Sequence, residues 1–198
     1  MRYTGRMLGL GLRKGRPFAF YRLSSRSFPR RRAELRGDGV VVINLTETSN
    51  PYVSYTAVKL AGDYAVIGNG THTTFVAQSL EWESPKKALI HVLDAMDYER
   101  DSLNTPRIAG IIERGSGDGF LGFAGRDHLW VKRVELEEGR AFFTATYNVE
   151  GIETLGLEFE DEDELAERAL GLDFPHPVLA IGVFDAGDGF RIGIKNKN

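Results

Sequence analysis

The chain has 198 residues and no cysteine. Disulfide bonds, thiolate zinc sites and a cysteine nucleophile are therefore excluded together. Its four histidines are scattered, and none has a second histidine at ligand spacing in the same element, so we expect no metal site. With few methionines, no cysteine and 27% charged residues, the composition suits a thermophilic source.

Long apolar runs are also missing. No run approaches the length of a membrane span, and residues 1–7 lack the apolar core of a signal peptide. We therefore expect a cytoplasmic protein that does not contact membranes. Because 42% of the residues are hydrophobic, one substantial core can form, and we expect residues 1–198 to fold as a single domain.

The strongest functional signal is the stretch from Arg22 to Arg32, which holds five arginines and three serines around Pro29. Arginine can bind phosphate through two parallel hydrogen bonds, and serine hydroxyls add further donors. The stretch therefore predicts an anion site, for either a phosphorylated small molecule or a nucleic-acid backbone. A solvated basic loop is the structural alternative.

Charge is segregated along the chain. Residues 13–36 carry nine Lys or Arg and one acid, whereas residues 150–173 carry ten Asp or Glu and one base. A nucleic-acid binder usually has a basic total, but the formal net charge here is −3 and the sequence pI is about 5.9. A local phosphate pocket therefore fits better than a nucleic-acid groove.

Hydrophobic patterning predicts about ten strands and three helices, an α+β pattern with layered sheets. The predicted strands cover about 6–12, 17–23, 40–45, 52–60, 64–68, 119–124, 128–134, 141–147, 178–184 and 190–194. The predicted helices cover about 69–80, 84–98 and 161–170.

Glu99 follows the apolar stripe of the second predicted helix. Extending the period of Leu89, Val92 and Met96 places Glu99 on the same inward face, where an acid needs a partner or a chemical task. If the helix instead stops at Tyr98, Glu99 lies in a solvated loop.

Three further segments, 50–55, 69–73 and 96–107, contain amides, phenols and carboxylates beside predicted strand or helix ends. Glycine-rich nucleotide loops and a Gly-x-Ser-x-Gly nucleophile motif are absent from the sequence. Together with the arginine stretch, the three segments supply the groups needed to bind a nucleotide-sized molecule.

Four blocks, in order and spacing, resemble the archaeal-type IMP cyclohydrolase family. They are Arg22-Leu-Ser-Ser-Arg-Ser-Phe-Pro-Arg-Arg31, Asn50-Pro-Tyr-Val-Ser-Tyr55, Ile67-Gly-Asn-Gly-Thr-His-Thr73 and Ala95-Met-Asp-Tyr-Glu-Arg-Asp101 with Leu103-Asn-Thr-Pro-Arg107. The likeness is strongest from about residue 5 to residue 110. Arg30 stands where the family pattern has Asn, so we do not count it as a site residue.

The resemblance implies that 5-formamidoimidazole-4-carboxamide ribotide loses water to give inosine monophosphate. It also implies a four-layer αββα sandwich similar to N-terminal-nucleophile hydrolases, a homotetramer, and no cofactor or metal. Arg2 and Tyr3 follow the first methionine, so the processed Ser, Thr or Cys nucleophile of that fold is missing.

The resemblance also implies site residues. The predicted catalytic residues are Tyr55, Glu99 and Arg107. The predicted substrate-binding residues are Arg22, Arg26, Ser27, Arg31, Asn69, His72 and Asn104. We expect Arg26 and Arg31 to bind phosphate and the two asparagines to orient the carboxamide, while Glu99 and Tyr55 handle protons and the developing oxyanion.

Two other function classes remain open at this point. The arginine stretch could form an RNA-binding module in which Phe28 stacks on a base, or the same sandwich could serve an amidohydrolase. Tyr55 and Asn69 also have purely structural interpretations, as a core tyrosine and as a turn residue before Gly70.

Overall fold

The computed structural model describes residues 2–197, which form thirteen strands and three helices. The strands are β1 (Arg6–Arg13), β2 (Arg16–Ser24), β3 (Arg31–Arg36), β4 (Gly39–Asn44), β5 (Tyr55–Ala61), β6 (Tyr64–Gly68), β7 (Arg107–Glu113), β8 (Asp118–Ala124), β9 (Leu129–Glu135), β10 (Arg140–Ala145), β11 (Glu153–Gly156), β12 (Pro177–Asp185) and β13 (Phe190–Asn196). The helices are α1 (His72–Ser79), α2 (Pro85–Met96) and α3 (Glu162–Leu170). None of the helices in this part of the chain is long and apolar enough to cross a membrane.

The strands form two antiparallel sheets. The first has six strands in the order β11-β10-β1-β2-β12-β13, and the second has seven in the order β3-β4-β5-β6-β7-β8-β9. The second sheet follows the order of the sequence, whereas the first joins strands from both ends of the chain through the β2–β12 pair.

Three apolar cores lie between the layers of the described structure. The inward faces of both sheets share the largest core, which includes Leu10, Ile67 and Leu179. Helix α3 covers the outer face of the first sheet, and α1 and α2 cover the outer face of the second. The expected α+β class is therefore confirmed, and the layers are consistent with a sandwich.

Side chains on β2 alternate between two environments because successive residues of a strand point to opposite faces. Ala19, Tyr21 and Leu23 lie in the core between the sheets, whereas Phe18 and Phe20 lie in the core under α3. Arg22 follows the same alternation and lies on the α3 side, where it donates to carbonyl oxygens of the last residue of that helix and of the segment after it.

Three strands were absent from the sequence-based prediction: β3, β7 and β11. Strand β3 begins inside the basic stretch, where buried Arg31 and Ala33 alternate with exposed Arg32. Strand β7 follows a polar loop directly, and β11 is a four-residue edge strand. The basic stretch therefore ends in a strand, whereas the predicted strands left residues 24–39 without regular structure.

Helix α3 approaches the first sheet very closely at two glycines. A Cβ atom added to Gly193 would lie 2.1 Å from the carbonyl oxygen of Glu162, and one added to Gly182 would lie 2.6 Å from the same oxygen. The colliding atom belongs to the backbone, which cannot rotate away as a side chain can. The absence of a side chain at these positions therefore sets the spacing between helix and sheet.

We expect Gly193→Ala to lower the free energy of unfolding by about 1–3 kcal/mol, the usual cost of overpacking a closely packed region. Gly189→Ala is the matched control, because an added Cβ there meets nothing within 4 Å. Denaturant unfolding of the two variants tests this expectation. Equal, small changes in both would show that α3 shifts away from the sheet without cost.

Candidate active site

Glu99 lies in the loop after α2, fully buried. The helix ends at Met96, since Asp97 adopts a positive φ of 54°, and the backbone N–H of Glu99 donates to Thr105 at 2.8 Å. The prediction that Glu99 continues the helical stripe is therefore wrong, and so is the alternative of a solvated loop. The chain after the helix folds back and carries the carboxyl inward.

Asp101 holds this loop in shape. Its carboxylate accepts hydrogen bonds from the backbone N–H groups of Leu103 and Thr105 at 3.1 and 2.9 Å. It also accepts one from the Thr105 hydroxyl at 2.7 Å. The same hydroxyl lies 2.6 Å from the phenol of Tyr147, in the bend that follows β10. The loop that carries Glu99 is thus hydrogen-bonded to the segment after β10 and continues directly into β7.

Three buried arginines carry charges that act on this carboxyl, and each is the first residue of its strand. Arg6 begins β1, Arg31 begins β3 and Arg107 begins β7. Because β3, β5 and β7 run in the same direction within the second sheet, their first residues lie at the same end of the sheet. Tyr55, the first residue of β5, therefore lies at that end as well.

The ion pairs around Glu99 are long. Its Oε2 lies 3.4 Å from Nη2 of Arg6, and its Oε1 lies 3.9 Å from Nη1 of Arg107. Charge-assisted hydrogen bonds usually measure about 2.7–2.9 Å. Oε1 has no hydrogen-bond partner within the described residues. The carboxyl is therefore held in place by charge, and the protein does not use all of its capacity to accept hydrogen bonds.

Two phenols meet beside this cluster. The hydroxyl of Tyr21 on β2 lies 2.6 Å from that of Tyr55 on β5, so the pair connects the two sheets. Burial, together with the neighbouring Tyr55, raises the pKa of Tyr21 well above its ordinary value. Tyr21 therefore stays neutral, and whichever phenol accepts the shared hydrogen bond has its own proton free for another acceptor.

Burial raises the pKa of Glu99 from 4.5 to about 7, against the opposing charges of Arg6 and Arg107. Near neutral pH the carboxyl is therefore populated in both its protonated and its ionised form. A general acid or base works best when its pKa lies near the working pH, because it can then both accept and release a proton.

Unused donors accompany this carboxyl. Nε of Arg6, Nη1 of Arg31 and Nε of Arg107 are buried and have no hydrogen-bond partner in the part of the chain that the structure describes. The guanidinium groups of Arg6 and Arg107 are thus paired with one buried carboxyl, and that of Arg31 adds a third buried positive charge nearby, which leaves an excess of positive charge. Buried charges are normally paired, so this end of the sandwich is suited to an anionic ligand.

Comparison with known proteins gives the family. A model of the family described as IMP cyclohydrolase-like protein matches residues 3–189. The chain belongs to this family. A curated IMP cyclohydrolase of Thermococcus kodakarensis is 60% identical over 97% of each chain. Those of Methanocaldococcus jannaschii and Methanothrix thermoacetophila are 39% and 37% identical, each over 98% of this chain and over 100% and 98% of their own length.

The resemblance to archaeal-type IMP cyclohydrolases is therefore confirmed. Of the ten site residues that it implied, Arg31, Tyr55, Glu99 and Arg107 lie at one end of the sandwich, with His72 directly beside Arg107. Within residues 2–197, no group of His, Asp and Glu side chains is placed to hold a metal ion.

Arg22 does not fit its predicted contact with substrate. Its guanidinium donates to the carbonyl oxygens of Leu170, Leu172 and Phe174 at 3.4, 3.2 and 2.7 Å, on the outer face of the first sheet. Tyr21, its neighbour in sequence, points the opposite way into the core between the sheets. Arg22 therefore secures the segment that follows α3.

Asn69 also has a different task from the predicted one. Its amide donates to the carbonyl of Pro106 at 2.9 Å and accepts from the N–H of Ile108 at 2.8 Å, so both ends of its carboxamide hold the start of β7. Arg26, Ser27 and Asn104 are exposed, and the Arg26 guanidinium lies 4.6 Å from the ring centre of Tyr3. These three stay predictions.

Sequence reasoning missed Arg6 and Tyr21. A charged residue at the start of a continuously apolar strand is the signal that could have found Arg6, because such a strand carries its first residue into buried surroundings. A tyrosine inside the apolar run Phe18 to Leu23 is the corresponding signal for Tyr21, since a buried phenol needs a partner.

The raised pKa of Glu99 makes stability depend on pH. Between about pH 4.5 and about pH 7 the unfolded chain releases this proton while the folded chain keeps it, so rising pH removes stability. Across this window we expect the free energy of unfolding of the wild type, measured at each pH, to fall by up to about 3 kcal/mol relative to that of Glu99→Gln. Parallel pH curves would contradict the burial of an ionisable carboxyl here.

Proposed function

We propose that this protein catalyses the closure of the purine ring, in which 5-formamidoimidazole-4-carboxamide ribotide loses water to give IMP. The observation that carries the proposal is the buried carboxyl of Glu99, with an unused oxygen, among buried arginines that have unused N–H groups. Relatives named IMP cyclohydrolase that match nearly the whole chain support the same reaction.

The reaction needs two proton transfers. The carboxamide nitrogen attacks the formyl carbon, a C–N bond forms, the nitrogen loses a proton and the formyl oxygen gains one. The resulting carbinolamine then loses its hydroxyl group with a proton, as water, and a C=N bond forms. A carboxyl with a pKa of about 7 can take the first proton and return one to the leaving oxygen.

We assign the remaining roles by charge and position. Arg6 and Arg107 flank Glu99 and stabilise negative charge on the formyl oxygen, and Tyr55 donates to that oxygen. Holding the formyl and carboxamide groups face to face supplies much of the remaining rate enhancement.

Arg31 binds the phosphate. It borders a cavity of about 720 Å³ that is also lined by the cationic residues Arg30, Arg32 and Lys197, with no acidic residue in the lining. A phosphate monoester carries about −1.5 to −2 charges at pH 7, which suits this basic lining. Although Arg30 departs from the family pattern, it remains part of this basic wall.

Purified protein incubated with the formamido ribotide should generate the hypoxanthine chromophore, followed by ultraviolet absorbance. Glu99→Gln should lose about 10²–10⁴-fold in kcat, because the amide cannot exchange protons, while ribotide binding persists. Glu158→Gln, at an exposed position, is the matched control. Wild-type turnover in Glu99→Gln would remove this residue from the mechanism.

We expect Arg31→Ala to weaken ribotide binding about 10- to 100-fold, the value of one or two charge-assisted hydrogen bonds. Binding of the dephosphorylated riboside should change little, and titration calorimetry with both ligands measures the difference. Arg22→Met is the control: it should lower stability through α3 and leave the ratio of the two affinities unchanged. Equal losses for ribotide and riboside in Arg31→Ala would refute the phosphate role.

The RNA-binding alternative has less support than ring closure. An RNA-binding surface needs accessible cations, and although Arg26, Arg30 and Arg32 of the basic stretch are exposed, Arg22 and Arg31 are buried. The amidohydrolase alternative is not favoured by any specific contact among the described residues.

We also propose that the sandwich is of the N-terminal-nucleophile-hydrolase type and that the chain forms one domain, since both sheets share a core. The homotetramer and the cytoplasmic location stay predictions. Exposed Phe75 and Trp82, on and just after α1, offer an apolar surface for subunit contacts.

A further inference from the structure

His72 is fully buried at the start of α1, and both of its ring nitrogens have partners. Nε2 lies 2.9 Å from the carbonyl oxygen of Ile108, and Nδ1 lies 3.5 Å from Nη1 of Arg107. A carbonyl oxygen can only accept, so Nε2 carries the proton. Nδ1 therefore presents its lone pair to the guanidinium of Arg107.

The same nitrogen of Arg107 faces two acceptors. Nη1 lies 3.5 Å from Nδ1 of His72 and 3.9 Å from Oε1 of Glu99. A terminal guanidinium nitrogen carries two hydrogens, so it can point one toward the imidazole and the other toward the carboxyl. The imidazole thus lies where it limits how far the guanidinium can turn away from Glu99.

We propose that His72 is a positioning residue that holds Arg107 beside Glu99 and acts on the reaction only through Arg107. This role differs from the substrate contact that the sequence predicted. Its kinetic consequences rest on the proposed function, whereas the geometry of His72, Arg107 and Glu99 does not.

His72 is suited to this role because it stays neutral. Burial lowers its pKa to about 3, and the positive charge of Arg107 acts in the same direction, against the hydrogen bond to Ile108. A protonated imidazole would lose the acceptor lone pair and repel the guanidinium. At neutral pH the ring therefore remains a permanent acceptor.

The glycines on either side of Asn69 make room for this arrangement. A Cβ atom added to Gly70 would lie 2.8 Å from Nη1 of Arg107 and 3.0 Å from Nδ1 of His72. One added to Gly68 would lie 3.0 Å from Nε2 of His72. Asn69 itself fixes the backbone on both sides of Arg107. The segment 68–72 as a whole thus serves to place one guanidinium.

Loss of His72 should alter the titration of Glu99. The charges that face this carboxyl come from Arg6 on β1, Arg107 on β7, Arg31 on β3 and Asp101 on its own loop. If Arg107 turns away, one of the charges that lower the pKa of Glu99 weakens, and burial raises that pKa further. A histidine that only fills space would not have this effect.

The test compares His72→Leu, His72→Gln and Thr73→Val by kcat/KM from about pH 5 to about pH 9. In His72→Leu we expect kcat/KM to fall about 10-fold or more. The limb of the pH profile that Glu99 governs should move up by about one pH unit. His72→Gln should restore most of both, since an amide offers a donor and an acceptor. Thr73→Val removes a buried hydrogen bond to Gly70 in the same turn and should leave the limb unchanged.

A second readout does not need activity. With isotope-labelled glutamate, the carboxyl signal of Glu99 gives its titration midpoint by NMR, and we expect that midpoint to rise in His72→Leu and to return toward wild type in His72→Gln. An unchanged midpoint, or activity that falls only with the folded fraction, would make His72 a packing residue. A wild-type protein without cyclohydrolase activity would refute the proposed function, while the NMR midpoint would still decide the role of His72.

Discussion

The withdrawal of one carboxyl and three guanidinium groups from water at a single end of the sandwich is the constraint on which the site depends. Taking each such group out of water costs several kcal/mol, and only close pairing offsets this cost. Here the pairs of Glu99 with Arg6 and Arg107 are long, and several polar atoms lack a partner among residues 2–197. An ion-pair network that served stability alone would be tighter. The spacing is understandable if an anionic substrate supplies the missing partners, so that stability is given up in the free protein to strengthen binding.

Strand topology explains why these side chains meet. The second sheet is a meander, so every second strand starts at the same end of the sheet. Arg31, Tyr55 and Arg107 are the first residues of such strands. A residue at the start of a strand is held by the ladder that follows it, yet it lies close to the loops that admit a ligand. The first sheet brings Arg6 to the same end, and the Tyr21–Tyr55 hydrogen bond joins the two layers there. The site is thus assembled from rigid strand ends, and one folded loop adds Glu99.

Local sequence was enough for much of the fold. The apolar runs Val40 to Leu45 and Val178 to Phe184 predicted strands that the structure contains, and the helix predicted to start at residue 84 begins at Pro85. Burial of polar side chains could not be predicted in this way. Arg22 and Arg31 belong to one basic stretch, yet one faces α3 and the other the site, because the chain leaves β2 and re-enters a different sheet as β3. Glu99 was expected to be buried as part of a helix, whereas its burial results from a loop that returns to Thr105.

The same buried environment gives Glu99 and His72 opposite behaviour. Low polarity favours the neutral form of both, which raises the pKa of an acid and lowers the pKa of a base. At Glu99 the neighbouring cations oppose this effect, so its pKa comes to about 7 and the group can exchange protons. At His72 the cation Arg107 adds to the effect, so its pKa falls to about 3 and the ring keeps one protonation state. Because Arg107 contacts both groups, a single guanidinium helps to keep one neighbour titratable and the other fixed. A site that must move protons at one atom while holding its geometry at the next needs this difference.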